Sequence, residues 1–386
     1  MSTYVDIRNI GPITKASFVL NKVNLFIGPQ SSGKSTVAKI VSFCLWLEKD
    51  VIMHLGKDHI DAQFMKEQLV LFHDMESYFK VSSYIYFHSD MIEFTYHSYE
   101  DFELRIVGDL QQGLMSKVAY IPSERNIIGI SNISSLSLED NYIRSFIFDW
   151  LSLRDKYQRG HEVPILDLGV RYVYNKVRGD TISLADGTEI DLAQSSSGIQ
   201  ALVPMLVYIN YVTQWIYEHK LDTSFDKQEV INRAITQFVA EPHEGKVVKA
   251  TELLSHISNP HSSKMVIEEG EMNIFPATQY ELVKAIISMM DFSRGDTLLM
   301  TTHSPYIMTS INNLIQGGNA IRDGKPNEVV DDVIPKRCRL NYEDVSAWAI
   351  SNGGIESIND DEFRLISADA LDAASSLISN DFSQLI

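Results

Sequence analysis

Apolar and polar residues alternate from Tyr4 to Leu20, on both sides of Asn9-Ile10-Gly11-Pro12. A period of two interrupted by a turn signal predicts two antiparallel strands. Val23–Ile27 (VNLFI) is then a short unbroken apolar run, the pattern of a buried strand. Val37, Ile40, Val41 and Cys44 recur at helical spacing, and Ser42 to Met75 reads mostly as helix. Tyr84 to Val107 reads mostly as strands. Tyr142, Ile143, Phe146, Ile147, Trp150 and Leu151 lay an apolar stripe along a helix within Glu139–Tyr157. Asp186-Gly187 is a hairpin turn. After it, a knot of serines and glycine in AQSSSGIQALVPM (Ala193–Met205) runs straight into a long apolar helix pattern. Met265–Ile267 and Leu298–Met300 are two further buried-strand patterns, separated by a helix over about Gln279–Met290. Short apolar strands alternating with helices predict an α/β fold with a parallel sheet beside an antiparallel lobe.

Composition changes this picture little. The chain has 386 residues, 45% apolar and 22% charged, which is ordinary for a globular protein with two or three lobes. No apolar run approaches the roughly 18 residues of a membrane span, and MSTYVDIRNIGP lacks a signal-peptide pattern. Cys44 and Cys338 have no metal-ligand spacing. The expectation is a reduced, cytoplasmic protein without a membrane anchor.

Charge changes it more. The net value of −18 argues against a protein that coats DNA through a global positive field, although a local basic groove stays open. From Asn341 to Ile386 nine acids face one base, Arg364. That tail reads either as a solvated acidic face or as a docking surface for a basic partner.

The chemistry begins at Gly28-Pro29-Gln30-Ser31-Ser32-Gly33-Lys34-Ser35-Thr36, which fits G-x-x-x-x-G-K-[ST] between the VNLFI strand and the following helix. Glycines let the backbone fold round phosphate oxygens with N–H groups inward, and the helix adds its positive end. Lys34 then bridges the β- and γ-phosphates of ATP, and the Ser35 hydroxyl sits on Mg²⁺. A second strand ends in Glu268-Glu269. In phosphate-loop enzymes, carboxylates at this place hold the metal and position the attacking water, the roles expected of Glu268 and Glu269 respectively. A third strand ends in Thr301-Thr302-His303-Ser304-Pro305, within reach of a γ-phosphate if the two strands are parallel neighbours. Arg8 and Asn9 read either as adenine contacts or as a plain turn.

The order IGPQSSGKST, SSSGIQ, VIEEGEMNIFP, TTHSP resembles the ABC-type ATPase heads of the SMC, RecF and OLD-nuclease group. Within it, the sequence is most similar to stand-alone or partnered ATPases of bacterial phage-defence operons. IRNIGPITKASFVL and VAYIPSER share the likeness, which spans Ile7 to Pro305. It implies a P-loop NTPase of ABC-ATPase type, with a mixed sheet, an antiparallel β lobe and a helical insertion lobe. It also implies a signature at a helix N-terminus, with Ser197, Gly198 and Gln200 reading the γ-phosphate held by a second subunit. Two copies then sandwich two ATPs, with Gly270, Glu271 and Asn273 reaching across the dimer. The chain departs from the family at Glu268, where most members have Asp, at Gln30, and at Gly270 and Phe275. No convincing Q-loop glutamine is present. Arg125 in YIPSER takes that place, to touch phosphate or relay its presence, with a structural ion pair as the other reading.

On this reading residues 1–305 form the ATPase head, with an antiparallel and phosphate-loop part to about 135, a helical and hairpin part at 136–195, the signature helix at 196–217, a helical insertion at about 218–262, and the Glu-Glu strand and His switch at 263–305. Residues 306–386 form an acidic α/β extension. Sustained heptads and a fused Toprim nuclease pattern are both missing. The expected function is an ATP-driven switch that dimerises around ATP and signals to a separate effector, a nuclease or toxin, in phage defence. A RecF-like DNA-repair ATPase is the alternative, and a non-hydrolysing scaffold the third, disfavoured by the Glu-Glu pair.

Overall fold

A computed structural model describes residues 3–130, 139–219, 260–367 and Ser383. Residues 220–259 of the expected helical insertion at 218–262, and much of the acidic tail, lie outside the described residues.

The antiparallel lobe forms as the alternation predicts. Strands β1 (Thr3–Ile10) and β2 (Ile13–Leu20) pair from Thr3↔Leu20 to Ile10↔Ile13. β3 (Val23–Ile27) is buried at every residue. β4 (Tyr84–His88), β5 (Ile92–Tyr96) and β6 (Phe102–Ile106) extend the antiparallel side, and β7 (Ser116–Ile121) lies at the far parallel edge. Four short strands, β8 (Val163–Pro164), β9 (Val170–Asn175), β10 (Gly179–Leu184) and β11 (Glu189–Asp191), make a separate antiparallel sheet with Asp186-Gly187 at its hairpin. β12 (Ser262–Glu268) and β13 (Thr297–Thr302) return to the main sheet, followed by β14 (Val345–Ser351) and β15 (Gly354–Ser357).

The eleven-stranded order is β6-β5-β4-β1-β2-β15-β14-β3-β13-β12-β7. β14, β3, β13, β12 and β7 run parallel, so the ends of β3, β12 and β13 meet at one rim. Register sets this: Thr302 pairs with Ile27, and Glu268 with Thr301. β14 comes from the segment expected to be an extension, residues 306–386, and lies inside the main sheet beside β3. Val345, Ala347 and Ile350 are buried there, between β3 and the side of the sheet that holds β15 and β2.

Alternate residues of these buried strands serve two cores. Leu25, Ile267 and Met300 face one, Phe26, Val266 and Leu299 the other. Helix α1 (Lys34–His54) covers the second face with Val37, Val41, Cys44 and Leu47, and ends at Leu55 in the left-handed conformation. It is followed by α2 (Ala62–Met65). On the first face, α3 (Tyr142–Leu153) buries Phe146 and Trp150 as its stripe predicts. Helix α4 (Ser197–Asn210) is buried from Ala201 to Ile209, a central helix with little polar surface, and widens into a π-turn at Tyr211–Trp215. Helices Pro276–Met289 and Pro305–Arg322 complete that layer. Among the described residues no helix is long and apolar enough to cross a membrane.

Candidate active site

The loop between β3 and α1 is shaped by its glycines. Gly33 holds a positive φ of 107°, and a Cβ there would come within 2.4 Å of Ile13. A Cβ on Gly28 would lie 2.3 Å from the Ile350 carbonyl oxygen, so β14 braces the loop from behind. Pro29, Gln30 and Ser31 are exposed at the tip, and Thr36 is buried in the first turn of α1. The Ser32 hydroxyl is buried without a hydrogen-bond partner. An orphaned hydroxyl inside a glycine-built cradle suits an anionic oxygen, because leaving it unpaired costs roughly 1–3 kcal/mol.

Lys34 is buried, and its ammonium donates to the carbonyls of Gly28 (2.9 Å) and Pro29 (2.8 Å) and to Nδ1 of His303 (3.2 Å). An ammonium only donates, so Nδ1 accepts and the imidazole proton lies on Nε2. That Nε2 faces Oε1 of Glu269 at 2.8 Å, in the orientation to donate. Lys34, His303 and Glu269 are thereby joined in one line. Burial pulls the Lys34 pKa below its usual value, against the opposing pull of Glu269, Glu271 and Glu268.

Glu268 is 3% exposed, and burial raises its pKa. Its Oε2 accepts from the Ser35 hydroxyl at 2.7 Å, and its Oε1 from the Tyr120 hydroxyl. Hydroxyl and carboxylate oxygens are the hard donors that Mg²⁺ selects. Glu269 sits in the left-handed region at φ 43°, fixed by its N–H on the Thr301 carbonyl (3.0 Å) and hydroxyl (3.2 Å). That conformation costs a non-glycine residue about 1–3 kcal/mol and turns the side chain off the strand toward His303.

Three candidate residues are engaged within the chain. Arg125 is fully buried, and its guanidinium donates to the carbonyls of Pro122 (3.1 Å), Ala201 (3.3 Å), Glu268 (2.8 Å) and Glu269 (2.7 Å). Four main-chain oxygens take its donors, which is a structural role like the ion pair of the other reading, played on carbonyls instead of a carboxylate. Burial lowers its pKa to about 10. Glu271 binds within its own chain, Oε1 accepting from the Thr302 hydroxyl (2.7 Å) and the His303 N–H (2.6 Å). Gln200 does not point outward either: its amide donates to Ala193 (3.1 Å) and Ser195 (2.9 Å), bracing the loop before α4. Arg8 pairs with Asp6 at 2.5 Å, and Asn9 occupies a left-handed turn.

Ser196 caps α4, accepting from the Ile199 N–H at 3.4 Å. Ser197 is exposed in the first turn, and among the described residues its hydroxyl has no hydrogen-bond partner. Gly198 backs onto the loop after Glu269; a Cβ there would approach the Asn273 carbonyl oxygen to 2.9 Å.

Tyr120 and the Thr301-Thr302 pair were not expected at the site. Tyr120 had a readable signal: it stands opposite Val266, two residues before Glu268 on the same face of the sheet. Gln279, which accepts from the Ser304 hydroxyl at 2.6 Å, gave none, since its helical position is unremarkable.

No family model matches the chain, and no curated protein does. Similar solved structures include the SMC head domain from Thermotoga maritima, 10% identical with a TM-score of 0.39, covering 92% of this chain and 98% of that one. An ATP-binding cassette of an ABC transporter in its ADP conformation is 12% identical with a TM-score of 0.31, covering 92% and 90%. The recombination mediator protein RecF is 11% identical with a TM-score of 0.33, covering 93% and 98%. At these scores the likenesses carry no functional weight.

Proposed function

We propose that the chain binds ATP with Mg²⁺ on the 28–36 loop, hydrolyses it, and closes as a homodimer around two ATP molecules. The observation that carries this reading is the Lys34–His303–Glu269 line beside the Ser35–Glu268 pair, at the ends of adjacent parallel strands. Cation, imidazole, carboxylate and hard oxygen donors stand in the order that phosphoryl transfer to water uses.

Each residue then has a task. The loop N–H groups and Ser32 cradle phosphate, and Lys34 exchanges two loop carbonyls for phosphate oxygens. Ser35 and Glu268 hold Mg²⁺, which supplies neutralisation of charge on the transferring group. Glu269 orients water and accepts its proton. When Lys34 turns to phosphate, Nδ1 of His303 loses its donor, and the imidazole is free to report that change to Glu269. Ser197 at the positive end of α4 completes the site of a sister subunit.

Dimer closing and opening then signal to a separate effector, a nuclease or toxin. The role in phage defence is supported by motif order alone. The net charge of −18 weighs against the alternative, a RecF-like ATPase that binds DNA directly.

The test is a pair of variants. Glu269→Gln keeps ATP, accumulates as dimer and loses at least about 100-fold in turnover, while Lys34→Ala fails to retain nucleotide. Equilibrium ATP binding, light scattering and phosphate release read these outcomes. Normal turnover by Glu269→Gln rules out the base assignment.

A further inference from the structure

At the opposite end of α1 from the phosphate loop, three side chains converge that the proposed ATPase does not use. Asp50 and His54 lie one helical turn apart and share a face of α1. The left-handed Leu55 ends the helix and turns the chain back, bringing His59 to the same point. Oδ2 of Asp50 is 2.5 Å from Nε2 of His59, and Oδ1 is 3.4 Å from Nδ1 of His54. One ligand atom from each side chain lies within 4.8 Å of the others. The edges of a tetrahedral zinc site are about 3.4 Å, so small side-chain rotations suffice.

We infer that Asp50, His54 and His59 form a site for a divalent transition-metal ion, with zinc as the fitting probe. Two imidazoles and one carboxylate form a borderline donor set, whereas Mg²⁺ and Ca²⁺ prefer oxygen alone. The side chains are held in place independently of any ion. Nδ1 of His54 faces the Asp50 main-chain carbonyl at 2.9 Å and would exchange that contact for the ion. The His59 ring meets the edge of Phe64 at 5.6 Å, and Phe64 stacks on Trp46 of α1. Asp61 caps α2, holding Phe64 in register. Asp50 is buried while His59 is a third exposed, so an ion enters from solvent and keeps a water as its remaining ligand. Bound there, the ion clips the 55–61 turn to the end of the helix that carries Lys34 and Ser35, roughly 24 Å away.

Full-length protein stripped of metal is titrated with ZnCl₂ against a chromophoric competitor, beside His59→Gln and the H54Q/H59Q double variant. Wild type is expected to take up one zinc more than the double variant, and His59→Gln to weaken that equivalent by at least about 10-fold. CoCl₂ should give wild type a visible d–d spectrum that the double variant lacks. Equal stoichiometry and affinity in all three proteins, or no micromolar zinc binding by wild type, overturns the site and leaves a hydrogen-bonded helix cap. His59 is exposed, so the single variant decides the matter if the double variant does not fold.

Discussion

A buried arginine whose partners are all carbonyls acts through what it positions. Arg125 ties the main chain of Glu268 and Glu269 to Ala201 in α4, so the two carboxylates and the exposed Ser197 share one link. Lysine keeps the charge but loses the planar fork that reaches four oxygens. Arg125→Lys is therefore expected to lower kcat for ATP while leaving KM within about two-fold, as loss of an interaction felt in the transition state does. A direct phosphate contact would instead raise KM, and steady-state kinetics separates the two. His73 makes a different residue-scale prediction. Burial pushes its pKa from 6.5 to about 3, and its Nδ1 is unpartnered. The folded form thus resists protonation that the unfolded chain accepts, so stability is present above pH 6.5 and is lost as pH falls toward 3. Between pH 7.5 and 5.5 wild type should lose roughly 1 kcal/mol more than His73→Phe, measured by urea unfolding. Equal losses would mean the ring is protonated in place.

At the scale of elements, local pattern carried far and then stopped. The alternation at Tyr4–Leu20, the unbroken VNLFI, and the runs ending at Glu268 and Thr302 predicted β1, β2, β3, β12 and β13, because each is short and bounded by turn residues. The turn from β3 through Gly28 and Gly33 into α1 was equally legible, since a tight strand–loop–helix turn restricts residue type and spacing. β14 was not, because its pairing with β3 joins residues more than 300 positions apart and leaves no local trace. Arg125 misled because a charged residue after a strand reads as exposed, and only the packed carbonyls reveal otherwise. The strand makes its own prediction. β14 separates β3 from β15 and β2, and its Ile350 carbonyl lies against Gly28. A chain ending at Arg339 would leave β3 with one open edge and the phosphate loop unbraced. It should lose both cooperative thermal unfolding and ATP binding. A truncated protein that still binds ATP would make β14 an appendage.

The whole molecule poses the question of what a single copy lacks. Lys34, His303, Glu269, Ser35 and Glu268 are already linked to one another, whereas Ser197 stands exposed at the start of α4 with no side-chain partner among the described residues. An anion-suited helix end facing solvent has work only if a phosphate arrives from outside the chain. In the proposed homodimer a second copy would bring one, held on its own loop, and the two-fold operation would supply the reciprocal contact. Complementation follows from that symmetry. Lys34→Ala disables the loop half of a site and Ser197→Arg the helix half, so each pure variant should be inactive. In a heterodimer one composite pocket pairs an intact loop with an intact helix. Random mixing makes half of the dimers heterodimers with one working pocket of two, so an equal mixture should recover roughly a quarter of wild-type hydrolysis. Phosphate release, read beside native mass spectrometry to verify heterodimers, decides it. Verified heterodimers without recovered turnover would place both halves of the site in the same chain.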